Sequence, residues 1–186
     1  MDAMITLRNL RRMACFAVLA LMPALASART PIPSPTVTGP VTGGVRTGYP
    51  FNHSLFDLSV NGYVEQEFFV SGTARDHTGV QPPLPFTTRM VVRRPIDPAR
   101  FNGTVWIEWL NVTGGSDVET EYAYLISELL RGGYAAVIMS CQEVGVAYLK
   151  TWDPVRYASL VHPGDAYAAD ICSQAGQALR NPAGLD

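Results

Sequence analysis

The sequence predicts a mixed α/β fold: two antiparallel strands, then a parallel strand–helix–strand unit and a closing helix. Three observations carry that reading. Phe101 to Gly115 reads FNGTVWIEWLNVTGG, a short apolar strand that runs into a polar, glycine-bearing turn. A helix-period segment separates it from a second apolar strand, Tyr134 to Met139. Two strands rich in Val, Phe, Tyr and Thr precede the unit. Apolar runs with no polar alternation mark strands covered on both faces of an α/β sheet.

The elements follow in chain order. Arg29 to Pro50 is rich in Pro, Gly, Thr and Val without periodicity and reads as an extended leader over the domain surface. Tyr63 to Thr73 and Phe86 to Arg94 are strands, joined by a linker with Asp76, Gly79 and the Pro82 to Pro85 run that suits an antiparallel connection. Pro95 and Pro98 end the second strand. Val105, Trp106, Ile107, Trp109 and Leu110 are expected to leave neither face of the third strand to water. Ser116 and Glu119 have capping-box spacing. Tyr122, Leu125, Ile126, Leu129 and Leu130 then form one helix face, which Gly132-Gly133 closes. A strand–helix–strand unit with short joints is parallel and right-handed. Asp165 caps a final helix to about Arg180, with Ala168, Ile171, Cys172, Ala175 and Leu179 on its inner face.

Composition bounds the function. The 186 residues are 47% hydrophobic and 16% charged, ordinary for one globular domain, and the net charge of -2 argues against a nucleic-acid partner. Residues 1–28 read as a secretory signal peptide: Arg8, Arg11 and Arg12, an apolar run from Met13 to Leu25, and Ala26-Ser27-Ala28 as the cleavage site. The run is too short to span ~30 Å of hydrocarbon. The expected location is periplasmic or extracellular, with no stable membrane anchor after cleavage. Removal of the signal takes Cys15 with it and leaves Cys141 and Cys172, which an oxidising compartment would allow to pair; two are too few for a disulfide framework, so two free thiols are the favoured expectation.

Chemistry concentrates at the turn Asn111-Val112-Thr113-Gly114-Gly115. In open α/β sheets ligands gather beyond the carboxyl ends of such strands. Backbone amides at a strand-to-helix turn, aided by the helix dipole, can hold a developing oxyanion, so Val112, Thr113 and Gly114 are the candidate donors and Asn111 a candidate lining residue. Glu108, inside the apolar run, must be hydrogen bonded to be tolerated there. Ser159, His162 and Asp165 fall within seven residues but do not make a triad, whose members normally come from separate elements; Ser159 and His162 remain candidates for lining a site. His53 and His77 stand alone, and no metal-binding or nucleotide-binding motif is present, so no metal or cofactor is expected.

The runs GYVEQEFFVSGTA, VVRRPIDPARFNGTVWIEWLNVTGG and LLRGGYAAVIMSCQEVGVAYLKTWDPVRYASLVHPGDAYAADICSQAGQALR resemble the exported α/β-hydrolase-domain proteins of bacteria. The resemblance spans nearly all of the chain after the signal and implies the amino-terminal half of an α/β-hydrolase fold over residues 51–186. It implies a serine nucleophile acting on a small-molecule ester or amide, in a G-x-S-x-G-like turn. It also implies one oxyanion amide from the loop after Leu110, at Val112 or Thr113. The sequence to Asp186 has no G-x-S-x-G, so no catalytic residue is expected within it and the nucleophile is expected beyond Asp186. The other reading is a non-catalytic secreted binding domain on the same scaffold, because a fold does not fix a function.

Overall fold

A computed structural model describes residues 30–46 and 48–180. The chain divides into two units, Met1–Pro31 and Ile32–Asp186. The signal-peptide reading of residues 1–28 lies outside the described residues, and the fold below is that of the second unit. Among the described residues no helix is long and apolar enough to cross a membrane.

Five strands form one mixed sheet: β1 (Thr36–Thr38), β2 (Tyr63–Ala74), β3 (Leu84–Pro95), β4 (Val105–Trp109) and β5 (Ala135–Met139). Among the described residues three α-helices accompany them: α1 (Glu121–Gly132), α2 (Glu143–Trp152) and α3 (Ala168–Arg180). The strand order is β1-β2-β3-β5-β4. β2 and β3 form a full-length antiparallel hairpin, from Tyr63 opposite Pro95 to Ala74 opposite Leu84. β5 runs antiparallel to β3 and parallel to β4, so β4–α1–β5 is the expected crossover unit.

The two sheet faces are covered by different helices. Phe68, Val70, Met90, Val137 and Met139 pack with Ile171 and Ala175 of α3. Val91, Leu110, Ala136 and Ile138 pack with Tyr122 and Leu129 of α1. β5 is buried at every position, which explains its uninterrupted apolar sequence. A third cluster joins Val146 and Leu149 of α2 to Tyr157 and Leu160, with Phe51 and Phe69 against it.

Three expectations need correction. β4 is not covered on both faces: it pairs only with β5 among the described strands, and Ile107 and Trp109 are 38% and 42% exposed. The leader is not merely extended, because Thr36–Thr38 adds a strand beside β2. Helix α2 was not anticipated; Gly145 weakens its helical signal, and a Cβ there would collide with the buried Asp117 carboxylate.

Candidate functional site

The carboxyl ends of β4 and β5 lie side by side, with Trp109 paired to Met139. Leu110 extends the ladder by donating its amide to the Met139 carbonyl at 3.2 Å. The indole of Trp109 donates to the Gln142 side-chain oxygen at 3.1 Å, tying the two following loops together. This is the crevice position at which open α/β sheets hold ligands.

The β4–α1 loop is a closed turn. Its neck is clasped by the Val118 amide donating to the Asn111 carbonyl at 2.9 Å. Inside it, the Asn111 side-chain oxygen accepts from the Thr113 amide at 2.8 Å, and the Gly115 amide donates to the Val112 carbonyl at 2.9 Å. Gly115 has φ +85, a left-handed conformation that side chains resist; Gly114 does not, and a Cβ there would meet open space. Among the described residues no hydrogen-bond partner exists for the amides of Val112 and Gly114. Of the three candidate donors, Thr113 is thus already engaged.

The capping box at Ser116 and Glu119 does not form. Glu119 turns instead to Arg93, at 2.6 Å and 3.0 Å. The N-terminus of α1 is capped by Glu108, whose carboxylate accepts from the amides of Thr120, Glu121 and Tyr122 at 2.8, 3.0 and 2.9 Å. Burial, with the neighbouring Glu121 carboxyl, pushes the Glu108 acid up to about 7 despite those amides. Glu108 is a structural carboxylate, and it takes up the helix-terminal amides that the turn was expected to share.

Ser159, His162 and Asp165 are held apart in role. His162 Nδ1 accepts from the Gly164 amide at 3.2 Å, which leaves Nε2 as the protonated nitrogen donating to the Cys141 carbonyl at 2.9 Å. Both nitrogens are occupied, so the imidazole is no general base here. Asp165 opens a 3-10 turn before α3 rather than capping that helix, and its carboxylate accepts from the Glu143 amide at 2.8 Å, capping α2. Ser159 is exposed and hydrogen bonds to neither. Asn111 opens the turn, with its side chain folded back on the Thr113 amide.

Beneath the turn sits a buried charge network that the sequence reading missed. The Arg89 guanidinium reaches Glu67 at 3.2 Å, Asp117 at 3.3 Å, the Ser140 hydroxyl at 3.1 Å and the Phe51 carbonyl at 2.7 Å. The Ser140 hydroxyl donates to the same Asp117 oxygen at 2.5 Å. Glu67 also accepts from Arg156 at 2.6 Å and from the Tyr157 hydroxyl at 3.0 Å. Arg156 reaches on to the carbonyls of Val41 and Gly43, docking the leader. Asp117 therefore anchors the turn to the sheet. A recess of about 740 Å³ adjoins it, lined by Phe51, Ser116, Asp117, Val118, Tyr122 and Trp152 among others. Strand alternation signals this network: Glu65 and Glu67 share a face of β2, and Arg89 and Arg93 share a face of β3.

A family model described as an alpha/beta hydrolase domain matches residues 37–186, which take in β2 to β5, most of β1, and α1 to α3. The chain belongs to the alpha/beta hydrolase domain family. The mixed five-stranded sheet with helices on both faces is part of that fold, and the α/β-hydrolase scaffold is of hydrolase type. No curated protein and no solved structure matches the chain.

Proposed function

We propose that the chain forms the oxyanion side of an exported bacterial serine hydrolase that acts on ester or amide bonds of a small molecule, with its nucleophile beyond Asp186. The observation that carries this reading is the β4–α1 turn of an α/β-hydrolase domain, in which the Val112 and Gly114 amides are unengaged while the turn itself is clasped. When a serine attacks an acyl carbonyl, the carbonyl oxygen becomes an oxyanion. A fixed amide aimed at that oxygen lowers the barrier without reorganisation. The Asn111–Val118 clasp and the Asp117 anchor on Ser140 and Arg89 supply the fixing. Asn111 and His162 border the strand ends as structural groups, each tied to backbone atoms. Ser159 takes no part in the chemistry. Export rests on the basic region, apolar core and Ala26-Ser27-Ala28 within residues 1–28; amino-terminal sequencing of exported protein beginning elsewhere than Arg29 removes it.

The test compares two substitutions in the product of the complete reading frame. Gly114→Ala keeps the amide and enters open space, so kcat is expected to stay near wild type. Gly114→Pro deletes the donor, so kcat is expected to fall about 10²-fold with KM little changed. A thermal melt of each variant checks that the fold is retained. Equal kcat for the two folded variants, or an effect confined to KM, overturns the assignment.

A further inference from the structure

The two faces of the β2–β3 hairpin leave their arginines in different states. On the α1 face Arg89 and Arg93 pair with Glu67 and Glu65 of β2. On the α3 face the intervening residue of β2 is Gln66, and Arg94 reaches only its amide oxygen at 3.3 Å and the Pro95 carbonyl at 3.4 Å. Both distances exceed an ordinary N–H···O contact. No carboxylate pairs with Arg94 among the described residues. Asp97, the nearest acid along the chain, accepts instead from the Ala99 amide at 2.9 Å. A guanidinium stays charged and carries five N–H donors, so the half-buried Arg94 keeps a charge that the fold does not balance.

Beside Arg94 the same face of the sheet is hollow. A cavity of about 480 Å³ is lined by Phe68, Val92, Val105, Ala135, Val137 and Leu179 among others, and among the described residues Arg94 is the one charged member of its lining. Phe68, Val92, Ala135 and Val137 are buried and form a closed apolar floor, whereas Phe101 of the lining is 40% exposed. Phe101, Val105 and Leu179 also line a second recess, which carries the hollow on toward Ile107 and Gly176. A volume of this size suits a small organic molecule. The hollow lies where β4 and β5 begin, at Val105 and Ala135, and the candidate turn lies at their other ends.

We propose that this cavity binds an anionic amphiphile with a single alkyl tail, a medium-chain fatty acid, with its carboxylate on Arg94 and its tail among Val92, Val105, Val137 and Leu179. An occupant that is apolar throughout would cover Arg94 and leave a guanidinium without a counter-charge, which is costly. A small anion alone would leave the apolar floor unfilled. A carboxylate takes two parallel hydrogen bonds from the guanidinium fork, and each methylene in the hollow adds buried apolar area. The site is independent of the hydrolase reading, because none of its residues belongs to the β4–α1 turn.

The experiment titrates decanoate, below its aggregation threshold, into the product of the complete reading frame by isothermal titration calorimetry. Saturable one-to-one binding is expected, tightening about fourfold per methylene from octanoate to decanoate. Decyltrimethylammonium, with the same tail and the opposite charge, is expected to bind about tenfold more weakly or worse. Arg94→Gln is expected to weaken decanoate about tenfold and to leave decyltrimethylammonium no weaker. Val105→Phe fills the hollow and is expected to abolish decanoate binding, with a thermal melt confirming that each variant is folded. No saturable binding of decanoate, the result expected if chain beyond Asp186 occupies the hollow, overturns the proposal. Equal affinity for the two head groups, or undiminished decanoate affinity in either folded variant, also overturns it.

Discussion

The Glu108 carboxylate holds the backbone amide of Tyr122 at 2.9 Å, across the turn that separates an edge strand from the helix behind it. It takes the amides of Thr120 and Glu121 as well, so one side chain from β4 completes the N-terminus of α1. Glu108→Ala leaves three amides without this partner in a buried setting and is expected to cost about 2–4 kcal/mol in urea unfolding. Glu108→Gln keeps one acceptor oxygen and is expected to cost less. Equal stability of wild type and the alanine variant would remove the capping role.

The same carboxyl predicts a pH dependence. Its folded acid is raised to about 7 from the usual 4.5, so the folded chain binds this proton more tightly than the unfolded chain. Its contribution to stability is therefore greatest below pH 4.5 and declines as pH rises through 7. The stability difference between wild type and Glu108→Gln, measured by denaturant titration at several pH values, should shrink across that window. A difference that grows with pH contradicts the shift.

Arg89 predicts a larger effect. It lies 1% exposed between Glu67 and Asp117, and its removal leaves the buried Asp117 with the Ser140 hydroxyl and no cation, while Glu67 keeps Arg156 and Tyr157. Arg89→Met is expected to destabilise by about 3–5 kcal/mol. Arg89→Lys should not restore stability, because a single ammonium cannot reproduce the fork that reaches Ser140, Glu67 and Asp117 together. A lysine variant as stable as wild type would show that charge alone suffices.

Local signals in the sequence carried most of the fold. The Val, Phe, Tyr and Thr content of β2 and β3, the apolar runs of β4 and β5, and the spacing of Tyr122, Ile126 and Leu129 all belong to one element at a time, and they placed those elements correctly. Contacts made at a distance were not legible. α1 is capped by a residue 12 to 14 positions earlier and α2 by Asp165, 22 positions later, so neither helix start follows a local capping rule. Ile107 and Trp109 read as buried because composition does not say on which side of a strand its neighbour lies. At the site, the turn was found from its glycines, but which amides it leaves unengaged depends on how the Asn111 side chain folds back on Thr113.

In the proposed function the β4–α1 turn serves a serine nucleophile beyond Asp186. Labelling of the complete reading-frame product with a fluorophosphonate, mapped to the residue by mass spectrometry, tests this. One labelled serine beyond Asp186 and none in residues 1–186 is expected, with the 186-residue chain itself left unlabelled. Stoichiometric label on Ser159 or another serine before Asp186, or a folded complete product that takes no label, would contradict it.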